Sequence, residues 1–95
     1  MKPLRSEEVR AVILACVEPA LRALGSAGEV PDTFDLRSEG IVDSLGFVQL
    51  VMEVEGRLGF PIDLAGLDPE QLTMVGPLSR SIARQSHARS KELTT

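Results

Sequence analysis

The sequence predicts an all-α protein: a small four-helix bundle with a long first loop and a short third helix. Apolar residues recur at three- and four-residue spacing in three separate segments, and a capping pattern at residues 68–72 adds a short helix before the last of them. No segment convincingly shows the alternation of a strand. The length of 95 residues suits one small domain. The apolar pattern ends at Ala83, so we expect a folded domain at residues 1–83 and a flexible tail at residues 84–95.

The first helix is predicted at about residues 6–24. Ser6 is a suitable N-cap, and two glutamates follow in the first turn, where the helix dipole favours negative charge. The apolar positions with helical spacing are Val9, Val12, Ile13, Cys16, Val17, Ala20, Leu21 and Leu24. Pro19 should kink this helix or separate its last turn, and Gly25 should end it.

Residues 26–42 form the predicted long loop, because they contain Gly, Pro and Asp without clear periodicity. Phe34 and Leu36 are expected to attach this loop to the core. Leaving either side chain in water would forgo roughly 1.5–3 kcal/mol of burial free energy.

The second helix is predicted at Ser44–Leu58 and carries two apolar rows. The core row has the spacing of a face buried in a bundle and comprises Phe47, Leu50, Val51, Val54 and Leu58. The second row begins beside Ser44 and comprises Leu45, Val48 and Met52. For a helix considered alone, the second row favours a wide buried face. The alternative is an exposed stripe that binds other proteins.

Two shorter patterns follow Gly59, which should end the second helix. Residues 68–72 begin with a capping Asp and a Pro, which predicts a brief third helix or a turn. The last helix should begin at residues 73–75, since Val75, Leu78 and Ile82 repeat at helical spacing.

Composition argues against several classes of function. The net charge is −4 and aromatic residues make up 3% of the chain, so a nucleic-acid surface is not expected. No apolar run reaches the roughly 18–20 residues of a membrane span, and no signal-peptide core is recognisable, so we expect a cytoplasmic protein. Cys16 and His87 are single residues of their types, which predicts no internal disulfide and no metal cluster. Cys16 falls on an apolar face and should be an inert core thiol.

The run Gly40-Ile41-Val42-Asp43-Ser44-Leu45-Gly46-Phe47 places an Asp-Ser pair where the long loop meets the second helix. With that helix and the short third helix, residues 6–83 resemble acyl carrier and peptidyl carrier proteins. The resemblance implies that Ser44 bears 4′-phosphopantetheine from coenzyme A, and that Asp43 helps a phosphopantetheinyl transferase to recognise the site. Without modification, Asp43 or Ser44 would merely cap the helix.

The resemblance also implies a carrier that is not an enzyme: cargo is held as a thioester on the arm. A cargo-loading ligase or acyltransferase and a downstream synthase or transferase would be further partners of a monomer. The predicted docking residues are Leu45, Val48, Met52, Glu53 and Glu55. The only histidine lies in the tail and both lysines near the termini, so no side chain near Ser44 is expected to activate its hydroxyl.

Three departures from the family pattern bear on the pathway. Gly46 and Gln49 stand where carriers of fatty acid biosynthesis usually have acids, and Gly40 lies one residue further from the serine than in the common form. We therefore favour a specialised pathway, such as secondary metabolism, over housekeeping fatty acid synthesis. The alternative from another class is an unmodified helical interaction module that uses the Leu45, Val48 and Met52 face.

Overall fold

The structure is a computed structural model that describes residues 3–25, 30–65, 68 and 70–94, with side chains as far as Arg89. These residues form three α-helices: α1 (Ser6–Ala23), α2 (Ser44–Leu58) and α3 (Val75–Thr94). In place of strands, the described residues contain an isolated antiparallel bridge between Asp35 and Met74. The predicted all-α class is confirmed.

The predicted four-helix count is not confirmed. Residues 68–72, where a brief third helix or turn was expected, fall partly outside the described residues. The described part forms turns: the Gln71 N–H donates to the Asp68 carbonyl at 2.9 Å, and the Met74 N–H donates to the Gln71 carbonyl at 3.1 Å. Helix α3 then begins at Val75.

The N-cap of helix α1 lies one residue earlier than predicted, because Arg5 and not Ser6 occupies that position. Arg5 has extended backbone angles, and its N–H donates to Glu8 Oε1 at 3.3 Å. The helix continues through the exposed Pro19 and ends at Ala23, so its last turn is not separated. Gly25 follows with a φ of +73°, a conformation that glycine adopts readily.

Helix α1 packs against both α2 and α3, and the apolar core lies between these helices and the loops. Each helix contributes one buried row, which for α1 is Val9, Ile13, Val17 and Leu21. The core row of α2 is buried at Phe47, Leu50, Val51 and Val54, and Leu58 packs against it half-buried. The predicted core row is therefore confirmed.

The first loop is attached to the core and to the start of α3. Leu36 is fully buried, and Phe34 packs partly buried against the core, as predicted. The Leu36 N–H donates to the Thr73 carbonyl at 2.9 Å, and the Val75 N–H donates to the Phe34 carbonyl at 3.0 Å. These bonds join two segments that are far apart in the chain.

Asp32 joins the same loop to both α1 and α3. Its carboxylate lies 2.7 Å from Arg10 Nη1, and its carbonyl accepts from the Gly76 N–H at 2.9 Å. A Cβ on Gly76 would lie 2.6 Å from the Asp32 Cβ, so only glycine fits this contact without a shift. The loop is thus packed tightly against the first turn of α3.

Helix α3 continues past Ala83, where the apolar pattern ends, as far as Thr94. Ser86 is buried, and its Oγ accepts from the Leu4 N–H at 2.8 Å and donates to the Ala83 carbonyl at 2.7 Å. Gln85 also bonds to the backbone of Asp63. The flexibility of residues 84–95 stays a prediction, although these contacts link Gln85 and Ser86 to the rest of the fold. None of the described helices is both long and apolar enough to cross a bilayer.

Candidate functional site at the start of helix α2

Ser44 is exposed and is the first residue of α2. The chain that leads to it is held against Leu36, whose carbonyl accepts from the Ile41 N–H at 2.9 Å and the Val42 N–H at 3.1 Å. Gly40, with a φ of +79°, makes the tight turn that this arrangement needs. The predicted modification residue therefore lies at the surface, at the end of an anchored loop.

Asp43 is the N-cap of α2. Its Oδ1 accepts from the Gly46 N–H at 2.6 Å, and its carbonyl accepts from the Phe47 N–H at 2.8 Å. The first N–H groups of a helix have no partner within the helix, so this carboxylate satisfies one of them. The capping interpretation of Asp43 is confirmed, while its role in transferase recognition stays a prediction.

The helix start also provides a favourable electrostatic environment for an anion. The N–H groups of Ser44 and Leu45 belong to the first turn, at the positive end of the helix dipole. Helix amino termini bind phosphate for this reason, with roughly 0.3–1 kcal/mol of stabilisation at exposed positions. A phosphodiester on Ser44 would lie within this field.

An open depression of about 540 Å³ lies beside Ser44. Its walls include Gly40, Val42 and Gly46, with Arg37 and Asp43 as the charged residues among those that line it. Arg37 was not among the predicted site residues. Arg37 comes seven positions before Ser44 in an irregular loop, where no regular spacing relates the two residues. Its position beside Ser44 could therefore be seen only in the folded loop.

The second row of α2 is exposed. Leu45 is 67% exposed, Val48 51% and Met52 63%, and the one other large apolar side chain so exposed among the described residues is Leu24. The wide buried face that a helix considered alone favours is therefore wrong. The row has the accessibility that docking requires, but its binding to partners stays a prediction.

The two acids predicted for docking have partners within the protein. Glu53 Oε1 lies 3.3 Å from Arg57 Nη2, and Glu55 Oε2 accepts from the Ile62 N–H at 2.7 Å. The Glu55 carboxylate thus holds the segment that follows α2. Glu53 is exposed and Glu55 is half-buried. A docking role for either acid stays a prediction.

Cys16 packs partly buried against the core, and the pKa of its thiol is raised by burial and by the nearby Glu53 carboxylate. A raised pKa leaves less of the reactive thiolate at neutral pH. This environment agrees with the inert thiol that the sequence predicts. Cys16 also lines a small groove of about 250 Å³ between α1 and α2, which shares Ile41, Val42 and Gly46 with the depression beside Ser44.

A larger depression, of about 740 Å³, lies between the start of α1 and the middle of α3. Its walls include Leu4, Arg80, Arg84 and His87, and it shares no residue with the depression beside Ser44. None of the predicted site residues lies there. Size alone would select this depression, but the chemistry of the predicted site belongs to the start of α2.

The fold and the site together describe a small helical protein with an exposed serine at a capped helix start, beside an exposed apolar row. Comparisons with protein-family models, with curated proteins and with solved structures found no match. The resemblance to carrier proteins therefore depends on the residues themselves.

Proposed function

We propose that the protein is an acyl or aminoacyl carrier that bears 4′-phosphopantetheine on Ser44. The observation that carries this proposal is the combination of an exposed Ser44 at the capped start of α2 with the exposed Leu45, Val48 and Met52 beside it. A helix cap does not explain an exposed apolar row next to it, whereas a surface that other enzymes contact does.

The residues present fit the proposed group. The Ser44 side chain is at the surface, so a transferase can reach it, and the helix start and the depression beside it suit a phosphodiester. The arm supplies a terminal thiol, on which cargo is held as a thioester. Ser44 anchors the arm, and Asp43 keeps the helix start formed by capping Gly46.

In the attachment step, the Ser44 Oγ forms a bond to the phosphorus that carries the pantetheine in coenzyme A. The bond from that phosphorus to the bridging pyrophosphate oxygen breaks, and adenosine 3′,5′-bisphosphate leaves. The hydroxyl proton passes to a base of the transferase, which also provides Mg²⁺. This division of labour suits the chain, because Asp43 is engaged in capping and an unassisted serine hydroxyl is a poor nucleophile.

The second row is the proposed docking surface for the transferase, for a loading ligase or acyltransferase and for a downstream synthase or transferase. Tethering makes each transfer to a docked enzyme intramolecular, so weak docking suffices. The uncharged Gly46 and Gln49 and the engaged Glu53 and Glu55 support weak electrostatic steering. This favours a specialised pathway over fatty acid synthesis for what we propose to be a cytoplasmic monomer.

The decisive experiment is the intact mass of the purified protein before and after incubation with a broad-specificity phosphopantetheinyl transferase, coenzyme A and Mg²⁺. We expect the parent and Ser38→Ala to gain one phosphopantetheine, and Ser44→Ala to gain none. Ser38 is a matched control because it is an exposed serine in the preceding loop. A folded parent that gains no mass would contradict the proposal.

The second candidate is an unmodified interaction module that binds a partner through Leu45, Val48 and Met52. It is favoured by the exposure of that row and by the ordinary helix cap at Asp43. This candidate predicts no gain of mass and full partner binding by Ser44→Ala. The carrier predicts that Ser44→Ala loses function while its fold survives.

A further inference from the structure

We propose that the Arg37 guanidinium binds the phosphodiester on Ser44 and thereby positions the root of the arm. This inference rests on the proposed function, because the phosphodiester arises only when Ser44 is modified. Arg37 would be a positioning residue, since it takes no part in the transfer of the arm or of cargo.

The first step of the argument is that Arg37 and Ser44 line the same depression of about 540 Å³. They lie at two ends of one hydrogen-bonded loop that turns around Leu36. The Gly40 N–H donates to the Arg37 carbonyl at 3.1 Å, and the Leu36 carbonyl accepts from Ile41 and Val42 just before α2. The loop therefore brings Arg37 back beside the start of the helix.

The second step is that the backbone of Arg37 is held in place from across the fold. Asp35 Oδ1 accepts from the Arg37 N–H at 2.9 Å and from the Ser38 N–H at 3.2 Å. The same oxygen accepts from the Thr73 hydroxyl at 2.6 Å, which ties the turn to the segment before α3. A residue anchored in this way loses less freedom when it binds an anion.

The third step concerns charge. The ion pairs among the described residues use Arg10, Arg22, Arg57 and Arg80, and Arg37 is in none of them. Asp43, the acid in the same depression, is engaged by the Gly46 N–H. A phosphodiester carries a negative charge that matches the Arg37 guanidinium, whose planar set of donors suits phosphate oxygens.

The placement has a consequence for docking. The second row does not line the depression that holds Arg37 and Ser44. An arm whose phosphodiester is bound by Arg37 begins on the loop side of Ser44, so its root leaves Leu45, Val48 and Met52 uncovered. Arg37 would thus separate the cargo-bearing arm from the surface that partner enzymes contact.

The test uses the modified full chain of the parent, Arg37→Gln, Arg37→Lys and the control Arg89→Gln, each checked by intact mass. Arg89 is a matched control because it is an exposed arginine outside the depression. We expect the ³¹P chemical shift of the parent to change between about 0.05 and about 1 M sodium chloride, since salt screens an exposed pair. Arg37→Gln should abolish this dependence, Arg37→Lys should keep part of it, and Arg89→Gln should keep all of it.

A second measurement needs no variant. The Nε–Hε resonance of Arg37 should shift between the unmodified and modified parent, and that of Arg89 should not. A ³¹P shift that is salt-independent in the parent, or equal in all four proteins, overturns the role of Arg37, as does an unshifted Arg37 resonance. If the folded parent gains no mass, the proposed function fails and this inference fails with it, a result that is distinguishable before any spectrum is recorded.

Discussion

The two apolar rows of α2 have similar residues and similar helical spacing but opposite surroundings. Leu50 and Val54 of the core row are 5% and 1% exposed, whereas Leu45 and Met52 of the second row are 67% and 63% exposed. One row packs against α1 and the loops, and the other faces water. A helix can therefore carry two apolar rows of which only one stabilises the fold.

Under the proposed function, stability and partner binding are divided between two faces of one helix. Burial of apolar surface drives folding, so the core row has a structural role that its burial explains. The second row gains no comparable burial within this chain. An exposed apolar patch indicates a contact with another molecule. Substitutions in the core, at the start of α2 and on its second row test this division.

The largest effect is expected from Leu50→Ala. Truncation of a buried leucine loses burial and leaves a cavity, so the free energy of unfolding should fall by about 2–5 kcal/mol. The matched control is Leu45→Ala, which should change it by no more than about 0.5 kcal/mol, as is usual at the surface. Urea denaturation of both variants measures the difference, and equal losses would contradict the division between the rows.

A second contrast compares closely packed and open glycines. In Gly76→Ala the new Cβ would meet Asp32 at 2.6 Å, so the free energy of unfolding should fall by about 1–3 kcal/mol. Gly56, inside α2, has nothing within 4 Å of a new Cβ. Gly56→Ala should therefore raise the free energy of unfolding by about 0.5–1 kcal/mol through helix propensity. A Gly76→Ala protein as stable as the parent in denaturation experiments would show that the contact with Asp32 does not restrict position 76.

At the start of α2, capping and recognition can be separated by two substitutions. Asp43→Ala removes the acceptor of the Gly46 N–H and should cost about 0.5–2 kcal/mol of stability. Asp43→Asn keeps an acceptor but loses the charge, so stability should stay near the parent while transferase modification slows. Thermal unfolding and the rate of mass gain measure the two properties. An Asp43→Asn protein that is modified at the parental rate would exclude a role of the charge in recognition.

A smaller effect is expected in acid. The Thr73 hydroxyl donates to Asp35 and, with two backbone N–H groups, lowers the pKa of that carboxyl. Because its folded pKa is below its unfolded value of about 3.9, ionised Asp35 stabilises the fold above that pH, and the contribution is lost as pH falls through the folded pKa. Thr73→Val should therefore lower stability at neutral pH, by about 0.5–1 kcal/mol for this partly buried pair, and by less in acid at a pH below the folded pKa. Urea denaturation at both pH values tests this, and a loss that is equal at both would exclude the ionised pair as its cause.

The smallest effect on stability is expected in the second row, where Leu45→Asp and Met52→Asp should change the free energy of unfolding by no more than about 0.5 kcal/mol. Under the proposed function, both should nevertheless slow attachment of the arm or transfer of cargo, because a charge disrupts an apolar contact. Modification and transfer rates, measured beside the denaturation curves, provide the test. Unchanged rates for both variants would refute the docking surface.

The sequence predicted those features that depend on local pattern. The bounds of α2, Ser44–Leu58, agree between prediction and structure, because a capping Asp and a terminal Gly act on the adjacent turn. The core row and the attachment of Leu36 followed from apolar spacing and composition. The N-cap of α1 was wrong by one residue, since Ser6 and Arg5 are both compatible with a glutamate-rich first turn.

The positions of most helices and the apolar row of each helix follow from local sequence, because helical periodicity and capping are properties of neighbouring residues. The tertiary structure was needed to show that Leu45, Val48 and Met52 face solvent, since periodicity does not reveal how many neighbours a helix has. It also decided that Arg37 lies beside Ser44, because the Asp35–Thr73 bond spans the fold between residues 38 positions apart. Contacts of that range depend on packing of the whole chain, which no local pattern contains.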